Sequence, residues 1–236
     1  MNGTFLVCRR GVSYLIEAKE VYFSYSDGTV ALKNIDMKIE PGDMIYITGP
    51  SGSGKTSLLK LFMGIEYPTK GILNVLGQPI VRGQASKIRQ MRRMIGPVFQ
   101  DFRLVMGRTA IENVMLGARF LNFAPKKLKE NAANALVKVG LEKKMFSLVE
   151  HLSWGECQRV AIARAVIRQP KLILADEPTG NLDKDNALNI IELFASLKER
   201  DTTVIVTTHA THLIENIKEG KLIRIENGII CEERLG

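Results

Sequence analysis

The run Gly49-Pro50-Ser51-Gly52-Ser53-Gly54-Lys55-Thr56 fits the pattern G-x-x-x-x-G-K-[ST], and no other feature of the chain restricts its fold as strongly. A β-branched apolar run, Met44 to Thr48, precedes it, and helical periodicity starts at Lys55. Strand, glycine-rich turn and helix N-terminus together make an anion cradle. Glycines at 49, 52 and 54 let the backbone turn tightly and aim N–H groups inward, where the positive end of the helix dipole favours phosphate. Pro50, Ser51, Ser53 and Ser57 complete the loop and the first turn. Lys55 is placed to reach the β- and γ-phosphates of a bound nucleotide, and the Thr56 hydroxyl to ligate Mg²⁺.

A second apolar run, Leu172-Ile173-Leu174-Ala175, ends in the adjacent carboxylates Asp176 and Glu177. Parallel strands deliver ligands at their C-terminal ends, where the first loop also lies. Successive side chains on a strand point to opposite faces, so two neighbouring acids can serve two roles. Asp176 is read as holding the Mg²⁺ shell and Glu177 as polarising the attacking water. Taken alone, the pair equally suits a solubilising turn after a buried strand.

Strands are expected at Lys19 to Tyr25, Ile35 to Ile39, Met44 to Thr48, Gly71 to Val75, Lys171 to Ala175, Thr203 to Thr207 and Leu222 to Ile225. Helices are expected at Lys55 to Met63, Pro125 to Val139, Gly155 to Arg168, Lys184 to Glu199 and Thr211 to Ile217. That alternation means an α/β fold with a mainly parallel sheet. Between about 85 and 168 the pattern turns helical, with strands resuming at Lys171, which reads as a helical subdomain inserted into a core formed by 17–84 and 169–232. Residues 1–16 read as an N-terminal extension. Cys8, Cys157 and Cys231 are far apart and without a CxxC pair, which argues against a disulfide framework or zinc site. No stretch approaches the ~18 consecutive apolar residues of a membrane span, and the short apolar run Phe5 to Cys8, with Arg9 and Arg10 after it rather than before, is not read as an export signal. The formal charge of +8 is basic without being extreme.

Across residues 17 to 232 the chain resembles the ATP-binding subunits of ABC transporters. Leu152-Ser153-Trp154-Gly155-Glu156 stands where that family has its LSGGQ signature, at a helix start upstream of the acidic strand. The resemblance implies a P-loop NTPase of ABC type: a RecA-like core with a mainly parallel sheet, an N-terminal antiparallel β part and an inserted helical subdomain. It also implies a homodimer in the ATP-bound state, with each ATP between one cradle and the partner's signature. Ser153, Gly155 and Glu156 would then face the γ-phosphate from the opposite subunit, a second helix N-terminus offered to an anion. Gln100 resembles the Q-loop glutamine that touches Mg²⁺ or water. His209 resembles the switch histidine that contacts the γ-phosphate, and with Glu177 and Lys55 it makes up the expected catalytic set. Asp183, in Asn181-Leu182-Asp183, resembles the D-loop at the dimer interface, and Tyr25 the aromatic that stacks on adenine. Alone, a glutamine in a loop is usually solvated, Tyr25 also suits a core, and His209 also suits a helix cap.

Two positions depart from the family pattern. Trp154, the single tryptophan, replaces the first signature glycine, where a bulky ring can stack at the dimer interface or obstruct it. Cys157 stands where relatives often carry glutamine. The stretch Ile95 to Leu104, continuing through Arg108-Thr109 and Glu112-Asn113-Val114, is similar to the cell-division (FtsE-type) branch of the family, whereas the Asp176 to Asp183 run is shared with the LolD and MacB branches. The first branch implies an integral membrane partner of FtsX type, a peripheral place at the cytoplasmic face of the plasma membrane and control of cell-wall hydrolases. The second implies lipoprotein release or export. Nucleic acid is not expected as a partner, because DNA-associated members carry long coiled coils or zinc modules. Phe102, Leu104, Val105 and Met106 suit either a docking groove for the membrane partner or core.

Overall fold

The computed structural model describes residues 14–214 and 220–234. Its centre is a sheet in the order β10-β9-β3-β8-β7-β6, formed by β3 (Met44–Thr48), β6 (Ile95–Val98), β7 (Leu172–Ala175), β8 (Thr203–Thr208), β9 (Lys221–Glu226) and β10 (Ile229–Arg234). The pairs β3/β8, β7/β8, β6/β7 and β3/β9 are parallel, and β9 turns back through Asn227-Gly228 into an antiparallel hairpin with β10. A second sheet, in the order β2-β1-β4-β5, is antiparallel and comprises β1 (Ile16–Ser24), β2 (Val30–Ile39), β4 (Lys70–Val75) and β5 (Gln78–Pro79).

Strand alternation divides the interior into two cores. Ile45 and Ile47 of β3, with Leu172, Leu174 and Ile205, point toward the antiparallel sheet and the helices α1 (Lys55–Phe62) and α2 (Ala85–Arg92). Met44 and Tyr46, with Ile173, Ala175, Val204 and Val206, point to the other face. There they meet α3 (Ala110–Leu116), α4 (Pro125–Lys138), α5 (Trp154–Val166) and α6 (Lys184–Leu197). A strand buried on both faces reads as a continuous apolar run, which is how Met44 to Thr48 reads. Two capping boxes start the helices of this layer: Thr109 with Glu112 before α3, and Ser153 with Glu156 before α5.

The segment read as helical from about 85 contains a strand. β6 joins the parallel sheet at its edge beside β7. Gly96 and Pro97 disguise it. Pro97 is tolerated because an edge strand loses little from a missing N–H, and a Cβ at Gly96 would lie 2.8 Å from the Ala165 carbonyl oxygen of α5. The sheet also begins earlier than residue 17. The Leu15 N–H donates to Ile39 O at 2.7 Å, its carbonyl accepts from Leu76 N at 2.7 Å, and both Leu15 and Ile16 are buried. The helix expected at Thr211 to Ile217 is a 3₁₀ turn at Thr211–Leu213 closed by Ile214, and 215–217 lie outside the described residues, as does the extension up to residue 13. No described helix is long and apolar enough to cross a membrane.

Candidate functional site

Three loops converge at the C-terminal ends of β3, β7 and β8. The first, residues 49–54, folds over the start of α1 with Gly49, Gly52 and Gly54 in left-handed backbone conformations. At Gly49 the demand is steric as well: a Cβ would sit 2.1 Å from Ile225 O. The first N–H groups of α1 have no partner within the helix and open toward the loop. Ser53 contributes a buried hydroxyl with no hydrogen-bond partner among the described residues. A hydroxyl left orphaned beneath a ring of N–H donors suits the oxygens of a phosphate chain.

Lys55 is only 3% exposed. Its ammonium donates to the carbonyls of Gly49 at 2.9 Å and Pro50 at 3.0 Å, and pairs with Glu177 Oε1 at 3.3 Å. The other Glu177 oxygen lies 3.1 Å from His209 Nδ1. The Glu177 backbone has φ 44°, a left-handed value that turns its carboxylate off the line of β7. Its N–H donates to Thr207 Oγ1 at 2.9 Å, and that hydroxyl donates to Asp176 Oδ1 at 2.9 Å. The Thr56 hydroxyl donates to the same Asp176 oxygen at 3.1 Å. Lys55, Thr56, Asp176, Glu177 and His209 thus form one bonded network across strands far apart in sequence. Thr207 ties it together, and sequence reasoning missed it. The run Val206-Thr207-Thr208-His209, polar at the end of a buried strand, is the signal that could have found it.

Other residues lie around this network. The Tyr25 hydroxyl bonds Ser57 Oγ at 2.9 Å, its ring stands edge-on to Phe23, and the Lys60 ammonium sits 5.5 Å from its centroid. Gln100 is exposed, and its amide lies against Gly180, where a Cβ would meet Gln100 Nε2 at 3.3 Å. Asp183 caps α6, accepting from Asn186 N at 3.0 Å and from its side-chain amide at 2.7 Å, and these bonds hold its carboxyl below the usual carboxylate range.

The start of α5 stands apart from the cradle. Ser153 Oγ accepts from Glu156 N at 3.3 Å, Glu156 Oε2 accepts from Ser153 N at 2.8 Å, and no hydrogen bond or ion pair among the described residues joins Ser153, Gly155 or Glu156 to the 49–57 segment. Gly155 faces Asn186 instead. Because Ser153 Oγ is engaged as an acceptor, its hydroxyl proton remains to be given. The Ser153 N–H, with Lys144 nearby, holds the Glu156 carboxyl below its ordinary range. Cys157 is half-buried, and burial with the Glu156 charge pushes its thiol up, which argues against a reactive thiolate.

The sequence pattern of the family described as ABC transporter matches residues 32–180. The chain belongs to the ABC transporter ATPase family. As an ABC ATPase it is an ATP hydrolase of a family that binds ATP. It is 37% identical over 219 residues to the cell division ATP-binding protein FtsE of Bacillus subtilis, covering 93% of this chain and 96% of that protein. It is 39% identical over 225 residues to the lipoprotein-releasing system ATP-binding protein LolD of Idiomarina loihiensis, covering 93% and 98%. Among solved structures, the ATP-binding cassette MJ0796, a dimer in a post-hydrolysis state with ADP and Pi, superposes with a TM-score of 0.83 at 33% identity, covering 94% of this chain and 99% of that one.

Proposed function

We propose that two copies of this chain bind two MgATP molecules between them, hydrolyse the γ-phosphate and reopen, and that this cycle drives an integral membrane partner of FtsX type in bacterial cell division. The observation that carries the chemistry is the bonded network of Lys55, Thr56, Asp176, Glu177 and His209. Thr56 and Asp176 offer hard oxygen donors 3.1 Å apart, a set that fits Mg²⁺. When bound, the metal would neutralise charge on the β- and γ-phosphates.

The protein's own groups do the rest. Loop N–H groups and the Ser53 hydroxyl take phosphate oxygens, and Lys55 leaves Glu177 to meet the β- and γ-phosphates. Glu177 Oε then accepts the proton of a water attacking the γ phosphorus, as the bond to the leaving ADP oxygen breaks. His209 holds Glu177 for that transfer. Gln100 and, from the second copy, Ser153 and the first N–H groups of α5 complete the enclosure. Asp183 lines the dimer seam and Tyr25 borders the adenine.

Similarity to FtsE supports the cell-division reading, and similarity to LolD favours a second one, lipoprotein release. Between Asp101 and Cys157 lies a groove of about 270 Å³ lined by Phe102, Leu104, Met106, Leu152 and Trp154, an apolar surface suited to a membrane partner. The chain would sit at the cytoplasmic face of the plasma membrane through that partner. Co-purification from detergent-solubilised membranes of the source organism tests the assignment. A co-purifying protein with an FtsX-type extracytoplasmic domain supports the first reading, and a lipoprotein-release permease replaces it with the second. Light scattering of the Glu177→Gln chain with MgATP tests the dimer, and a mass that stays monomeric contradicts the shared site.

A further inference from the structure

Trp154 opens α5, is 56% exposed and rests against the ring of Phe102, with centroids 5.0 Å apart and an interplanar angle of 63°. Phe102 follows Gln100 by two residues. Phe102 and Arg103 both hold left-handed backbone conformations, with φ 56° and 50°. Such a pair persists only if its surroundings hold it. The carbonyls of both residues accept from the half-buried guanidinium of Arg164, which lies on α5 as well. Two residues on, fully buried Asn113 of α3 accepts from Val105 N at 2.7 Å and donates to Val105 O at 3.1 Å. The segment after Gln100 is therefore clamped in place, and its contacts with α5 come from both ends of that helix.

We propose that Trp154 is a positioning residue for ATP hydrolysis: its contact with Phe102 couples the segment that carries Gln100 to the end of the helix that carries Ser153. Movement of Gln100 by nucleotide in one cradle is then delivered to the surface that the same chain presents to the other nucleotide. A glycine at 154 offers no such contact. Trp154 acts within its own subunit, and it does not obstruct the partner's ATP. The inference rests on the reading of Gln100 and Ser153 as phosphate-facing groups.

The test is a double-mutant cycle in the full chain. Steady-state phosphate release at saturating MgATP is measured for Trp154→Ala, Phe102→Ala and the double variant, with affinity read from a fluorescent methylanthraniloyl-ATP probe and folding from the thermal midpoint. Each single change is expected to lower kcat roughly three- to tenfold, the range of an aromatic pair, and to leave KM and probe affinity within about twofold. The double variant falls no further than either single, and Trp154→Phe restores most of the rate. If Phe102→Ala fails to fold, Phe102→Leu takes its place. A rise in kcat on removing Trp154, an unchanged kcat on changing Phe102, or additive losses would overturn the proposal. A Ser153→Arg chain distinguishes the two levels: wild-type turnover in it removes the shared-nucleotide reading, whereas an inactive Ser153→Arg chain beside an additive cycle removes only the role of Trp154.

Discussion

Replacing Glu177 by Gln separates two effects that coincide at that carboxylate. With Lys55 Nζ 3.3 Å from Oε1, the gross attraction at an effective dielectric constant of ~20 is about 5 kcal/mol, most of it offset by the solvation and bonds available to either group alone. Incoming phosphate must take Lys55 from this partner. The amide keeps the shape and a neutral hydrogen bond while removing the charge. The difference between a charge-assisted and a neutral bond is about 1 kcal/mol, or roughly fivefold in affinity. Glu177→Gln should therefore bind ADP about fivefold more tightly than the parent chain. It should also lose turnover by about 10²- to 10⁴-fold, the worth of a general base. ADP is the informative ligand because it cannot be trapped by failed hydrolysis. Isothermal titration with MgADP and steady-state phosphate release give the two numbers. Unchanged or weakened ADP binding would refute the competition for Lys55, and turnover within tenfold of the parent would refute the base.

Gly49→Ala puts a methyl 2.1 Å from the Ile225 carbonyl, so the loop or β9 must move; the thermal midpoint should fall by the equivalent of about 2–4 kcal/mol and nucleotide binding should vanish, and near-native values of both would contradict the packing. Glu156 has its carboxyl held below its ordinary range, so its support of α5 is fully present above that range and is lost as pH falls through the lower folded-state value. The thermal-midpoint gap between the parent and Glu156→Gln should accordingly be constant near neutrality and narrow as pH falls below the ordinary glutamate value of 4.5, and a gap independent of pH would exclude the carboxylate as its source. Cys157, with its thiol pushed up and half-buried, should alkylate several-fold more slowly with iodoacetamide at pH 7.5 than exposed Cys231, as read by peptide mass mapping; equal rates would mean that the groove is more open than described.

Elements that announce themselves locally are legible in the sequence. The cradle is a contiguous motif, and β7 ends in two visible carboxylates. Residues 85 to 116 are harder, because their signals conflict. Gly96 and Pro97 argue locally against a strand, and what overrides them is the close approach of α5, a tertiary fact. The short helix α3 is also missed, although Thr109 and Glu112 spell a capping box. At the site, the meeting of Lys55, Asp176 and Glu177 can be anticipated because their chemistry is uncommon in that spacing. Thr207 cannot, because a threonine in a strand is ordinary until its hydroxyl is found between two acids. The contact of Trp154 with Phe102 spans 52 positions and has no local signature at all.

Gly96 has a mechanical consequence. By bringing the Ala165 carbonyl against the edge strand, it leaves α5 seated on the sheet at one end, while Ser153 lies twelve residues away, about 18 Å along the axis. A tilt of only about 5° at that seat swings the far tip by roughly 1.6 Å, about half a hydrogen-bond length. In the proposed dimer, a helix mounted in this way would act as a lever with its fulcrum in the sheet, so an adjustment too small to disturb the core would decide whether the tip reaches the second nucleotide.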